Sequence, residues 1–191
     1  MRFWLVIARA IDTLNEWIGQ KTKWLVLLAT LISAGNAMMR YGLERGSNAG
    51  LELQWYLFGA IFLLGAAYTL KHRGHVRIDL IHAHLPAAAQ YWVEILGNML
   101  FLLPFSILMI YLSWPEFMLA WQSGETSPDA GGLLRWPVKL LIPAGFFLLV
   151  LQGIAEIIKN SAYLTGHLTD DTHDDIHDDI LDDILDDTSH D

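Results

Sequence analysis

Along this chain, long apolar runs alternate with short polar connections. The runs at 24–39, 51–70, 92–113 and 138–158 carry no charge through their middles. A helix needs about 20 mostly apolar residues to cross a bilayer. Each run therefore predicts a spanning helix, the first reaching that length only with its polar shoulders. The expected fold is all-α: a polytopic membrane protein with four transmembrane helices at about 22–41, 51–70, 92–113 and 138–158. Ahead of them Phe3, Ile7, Ala10, Ile11, Leu14, Trp17 and Ile18 recur at helical spacing, with Arg9, Asp12, Asn15 and Glu16 on other faces. This pattern predicts an N-terminal amphipathic arm helix over 2–20. Two placements are open for it: in the membrane plane with its apolar face among the acyl chains, or packed on a partner. A cleaved leader is not expected, because the apolar stretch at 3–8 falls short of the roughly 7–15 residues of a secretory signal and Arg9 ends it.

Charge divides the chain in two. The net charge is −9, but eleven Asp and no Lys, Arg or Glu follow from His167 onward, and removing those eleven leaves +2 for residues 1–166. The expected organisation is one four-helix membrane domain over 1–166 and an acidic low-complexity tail over 167–191. The tail repeats His/Leu-Asp-Asp-Ile/Thr every four residues from His173. Asp is a poor helix former and like charges four apart repel, so disorder is expected there. The tail has no Gly, which argues against an EF-hand loop. Cysteine is absent, which removes disulfides, thiolate metal sites and thiol catalysis together.

The cations set an expected orientation. Eight Lys and Arg lie on the side of the termini and the second loop, against four in the first and third loops. By the positive-inside rule both termini are cytoplasmic, with loops 42–50 and 114–137 outside. Trp24, Tyr41, Trp55, Tyr68, Trp92, Tyr111, Trp114, Trp136 and Tyr163 fall near span ends, where interfacial rings gather.

Few polar groups come near membrane depth. Ala29, Ser33 and Ala37 repeat every four residues beside Asn36, with Arg40 a turn on; this suits close helix packing, within the chain or against a partner. Glu52, Gln54, Glu94, Asn98, Gln152 and Glu156 sit at span ends. They either snorkel or form ion pairs, Glu52 with Arg40 and Glu94 with Arg73 or Arg77. Pro104 and Pro143 predict kinks. His72, His75, His82 and His84 crowd one loop but match no zinc spacing, and no His lies inside a span to hold haem. No metal, cofactor or catalytic group is expected. A chain that moves ions alone normally keeps an ionisable group at membrane depth. Its absence from the span middles disfavours a self-contained antiporter and favours a subunit that holds something else in place.

Several ordered blocks then resemble one family. They are Arg40-Tyr41, Ser47-Asn48-Ala49, the run 51–59 (Leu-Glu-Leu-Gln-Trp-Tyr-Leu-Phe-Gly), 64–68 (Leu-Gly-Ala-Ala-Tyr) and 75–79 (His-Val-Arg-Ile-Asp). Further on come 124–127 (Gly-Glu-Thr-Ser), 131–139 (Gly-Gly-Leu-Leu-Arg-Trp-Pro-Val-Lys), 142–146 (Ile-Pro-Ala-Gly-Phe) and Leu151-Gln152-Gly153. Over about 20–160 these blocks resemble the DctQ-type small membrane subunit of TRAP (tripartite ATP-independent periplasmic) transporters. The resemblance implies a non-catalytic brace in the bacterial inner membrane. Its implied partners are a large DctM-type subunit that carries an organic anion with sodium, a periplasmic substrate-binding protein docking on the outer loops, and membrane lipid; nucleic acid is not among them. Arg40, Tyr41, Glu52, Gln54, Gly65, His75, Arg77 and Asp79 carry the family pattern. With Ser33 and Asn36 they are the expected structural or partner-interface residues. Gly124, Glu125, Arg135 and Trp136 mark a possible docking loop.

Overall fold

In the computed structural model, residues 2–42, 44, 46–72 and 86–165 are described. They form α1 (Arg2–Gly42), α2 (Asn48–Lys71), α3 (Ala87–Gly97), a π-helical turn (Asn98–Leu102), α4 (Leu103–Ser123) and α5 (Trp136–Leu164). With α3, the π turn and α4 continuous, four helices are long and apolar enough to cross a membrane. Among the described residues the only β pairing is the isolated bridge Thr126–Leu134. The acidic tail and the histidines at 75, 82 and 84 lie outside the described residues.

Local chemistry explains where each helix starts and stops. Stretch 2–42 has no proline, and Thr13, Thr22 and Thr30 turn their hydroxyls back onto carbonyls four residues earlier. At roughly 1.5 Å per residue α1 is about 60 Å long, about twice the ~30 Å hydrocarbon core. No break in the helix separates the expected arm from the expected first span. Ser47 caps α2, its hydroxyl accepting from the Gly50 amide at 3.3 Å. At Pro104, where the sequence predicts a kink, the chain inserts the π turn: the Leu103 amide reaches back to the Asn98 carbonyl. Widening the helix just before a residue that cannot donate relieves the clash of its ring with the preceding turn. Gly124, at φ +61°, ends α4 in the left-handed conformation, and the Glu125 amide closes on the Ala120 carbonyl at 3.1 Å. α5 continues through Pro143.

The core is a three-helix arrangement of α1, α2 and α5, with α3 and α4 packed mainly on α5. Two close approaches define it. A Cβ at Gly145 would lie 2.7 Å from the Leu63 carbonyl oxygen, so α5 meets the α2 backbone there. A Cβ at Gly19 would collide with the Tyr68 ring. The face that α1 buries is small and partly polar. Ala8, Asn15, Thr22 and Ala29 are buried at intervals of seven, and half-buried Asn36 continues the series. A seven-residue repeat on a 3.6-residue helix imposes a left-handed wrap. The large apolar side chains point outward instead, Phe62, Phe101 and Tyr111 being at least 75% exposed. In lipid, apolar surface gains nothing by hiding, and small or polar groups make the helix contacts.

Candidate interaction sites at the two ends of the bundle

The bundle has a hairpin end, where 43–47 and 124–135 connect helices, and a terminal end, where α1 starts and α5 stops. At the hairpin end Glu52 sits in the first turn of α2 and is buried. Its carboxylate accepts from the Leu133 amide at 2.7 Å and from the Ser127 hydroxyl. Asn48 Nδ2 donates to the Ala130 carbonyl at 3.3 Å, and the Tyr56 hydroxyl to the Leu134 carbonyl at 3.0 Å. Three side chains one turn apart on α2 thus hold one stretch of loop. The loop is closed on itself by the Ser127–Leu133 and Arg135–Glu125 backbone bonds, both 2.9 Å, and by Gly131 at φ +75°. Glu125 braces its base, 2.7 Å from Lys139 and 3.3 Å from Arg135. The Lys139 hydrogen bond holds the Glu125 carboxyl below its usual range. Trp136 meets Trp121 edge to face at 4.6 Å.

The expected Arg40–Glu52 pair does not form. Glu52 turns to the loop, whose backbone amide lies within direct reach, while Arg40 stays exposed. Asn36 links the first two spans instead, its Oδ1 accepting from the Ser47 amide at 3.3 Å. Tyr41 is exposed. Gly65 lies opposite Thr22. Ser33 and Gln54 are half-buried in a groove of about 420 Å³ between α1 and α2, lined also by Ala29, Thr30, Ala37 and Phe58. His75, Arg77 and Asp79 lie outside the described residues, and so does the expected partner of Glu94, Arg73 or Arg77. Glu94 accepts from Asn160 Nδ2 at 2.9 Å.

The terminal end holds a polar network that the span-by-span reading does not assemble. Asn15 Nδ2 donates to Gln152 Oε1 at 2.7 Å, and Gln152 Nε2 donates to Asp12 at 2.8 Å and Glu156 at 2.9 Å. Lys159 joins Glu156 at 2.6 Å and Asp12 at 3.2 Å. Beside it Glu16 binds Lys71 at 2.7 Å and His72 at 2.8 Å. The polar face of the arm thus packs inward on the chain's own α2 and α5. The signal was present in the sequence: positions 8, 15, 22, 29 and 36 are all small or polar. Among the described residues no group of three His, Asp or Glu side chains gathers as a metal-binding set.

Compared with known families, residues 29–162 match the family described as "Tripartite ATP-independent periplasmic transporters, DctQ component". Among curated proteins no relative matches.

Proposed function

This chain belongs to the DctQ family, the small membrane component of tripartite ATP-independent periplasmic transporters, and from that premise we propose that it is a non-catalytic brace for the transporting subunit. Family members work with a DctM component and a substrate-binding protein. Here the large subunit carries an organic anion with sodium in an elevator-like motion, and this chain holds the static part of it. One observation supports this reading above others. The two buried carboxylates, Glu52 and Glu156, stand at opposite ends of the bundle and both are bonded within the chain. Between them the buried polar side chains among the described residues are all neutral: Gln152 with its partner Asn15 next to Glu156, then Thr22 and Ser106. A proton- or ion-coupled carrier needs a titratable or coordinating group at that depth.

The docking face we assign to the large subunit is the α1–α2 groove with Ser33, Gln54 and Phe58, whose small residues let another helix approach closely. Arg40 and Tyr41 extend this face past the membrane edge. The loop 124–135, held rigid by Glu52 and Glu125, is the surface offered to the binding protein. Both termini are then cytoplasmic and the membrane is the bacterial inner membrane. Filling the groove tests the assignment. Ala34→Trp, at an exposed groove-lining position, should abolish co-purification of the large subunit while this chain still inserts at normal abundance. Undiminished co-purification would exclude the groove as the docking face.

A further inference from the structure

One turn apart on α1, Thr30 and Ser33 place their hydroxyls differently. Thr30 turns back onto the Val26 carbonyl at 2.9 Å, and on α4 Ser113 and Ser123 bond back in the same way. Ser33 does not. Among the described residues its hydroxyl has no partner, and neither has the side-chain amide of Gln54 across the groove. Both side chains are half-buried in the walls of the groove of about 420 Å³ between α1 and α2.

The two groups stand at nearly the same depth. Asn36 meets Gly50 at the hairpin end, where a Cβ on Gly50 would lie 3.5 Å from the Asn36 side chain. Three residues along α1 place Ser33 about 4.5 Å below that level, and four along α2 place Gln54 about 6 Å below it. Both positions fall inside the apolar runs 24–39 and 51–70, so the open side of the groove faces hydrocarbon. Snorkelling does not serve Ser33. Helical side chains lean toward their own N-terminus, and α1 runs toward the hairpin end, so Ser33 leans away from the nearer interface. An unpaired hydroxyl or amide at that depth carries a free-energy cost that only a hydrogen bond removes.

This polar pair separates the candidate occupants. An acyl chain has no donor or acceptor to offer. A second copy of this chain brings a concave groove against a concave groove, and the exposed carboxamides among the described residues, Gln20, Asn48 and Gln122, lie at or beyond span ends. A helix with a carboxamide at this depth fits. One Asn or Gln side chain donates to Gln54 and accepts from it at once, with the Ser33 hydroxyl beside it. Ala34 and Ala37, both exposed at the rim, let the backbone of such a helix approach. We propose that the groove receives a transmembrane helix of the large subunit bearing an Asn or Gln at the level of Ser33 and Gln54, with the two carboxamides paired. The proposal rests on the docking face assigned above and adds the chemistry by which that face selects its partner.

The affinity of the purified large subunit for this full-length chain in detergent tests it. Gln54→Met keeps the length of the side chain and removes the amide. It should weaken association about three- to tenfold, the weight of one hydrogen bond between membrane helices, and Ser33→Ala should act in the same direction. Gln54 bonds to nothing among the described residues of its own chain, so the melting temperature of this chain alone should not fall. Loss of the complex in Ala34→Trp with unchanged affinity in Gln54→Met would keep the docking face and overturn the carboxamide pairing. No loss in either variant would remove both. A second readout uses the absence of cysteine. Ala37→Cys carrying a short photoreactive label should mark, in native membranes, a large-subunit helix within one turn of an Asn or Gln. An adduct on lipid, on a second copy of this chain or on a stretch with neither residue would overturn the proposal.

Discussion

Glu52 joins two elements through one carboxylate, and its bonds to Leu133 and Ser127 tie the start of α2 to the loop after α4. Removing the side chain leaves a half-buried amide without its acceptor, and a lost acceptor away from water costs more than the average hydrogen bond contributes. Glu52→Ala should therefore free the loop: trypsin cleavage after Arg135 should speed up severalfold, with a lower melting temperature of the purified protein. Glu52→Gln keeps an acceptor and should fall between. Arg40→Ala should change neither measurement, which separates the loop lock from the Arg40–Glu52 pair that the sequence suggests. Loop cleavage as slow in Glu52→Ala as in the unaltered chain would show that the lock does not hold the loop. The sequence marks Glu52 as notable but not its partner. Leu133 contributes only its backbone amide, 81 residues away, and no side-chain pattern announces a backbone donor.

At the scale of elements, α1 and α5 carry the organisation. The four spans are legible because bilayer thickness sets helix length, and apolar run length survives in the sequence whatever packs beside it. The facing of α1 is harder to read. In water the apolar stripe of an amphipathic helix is its packing face; in lipid the small and polar stripe packs and the apolar one faces outward. Asn15, Asp12 and Glu16 therefore meet α5 and α2, while Phe3 and Trp17 point away. The clearest test of the helix register is Gly145→Ala. Its added methyl would press on the Leu63 backbone, which cannot rotate aside as a side chain could. Overpacking of this kind costs about 1–3 kcal/mol, so the thermal midpoint in detergent should drop by several degrees. Gly97→Ala, where a methyl meets nothing within 4 Å, is the matched control. Equal midpoints for the two variants would mean that α2 and α5 are not in the register described.

For the whole molecule, the arrangement is a membrane scaffold whose bonds face inward at both ends and whose apolar bulk faces outward. The proposed topology, with both termini in the cytoplasm, rests on the eight-to-four distribution of Lys and Arg. A phosphatase fused within 124–130 should be active in cells, and one fused after Tyr163 inactive; the reverse pattern would invert the proposed topology and move the binding-protein surface to the wrong side. The family and its architecture can be read in residues about 20–160. The cargo cannot: under the proposed brace role the chain makes no contact with substrate by which its sequence could encode one. The central claim is that this chain carries nothing by itself, and the most direct measurement is uptake by proteoliposomes under an inward sodium gradient, with labelled organic acids and the substrate-binding protein supplied outside. The account predicts no uptake above empty vesicles for this chain alone and sodium-dependent uptake once the large subunit is co-reconstituted. Uptake by this chain alone would contradict it.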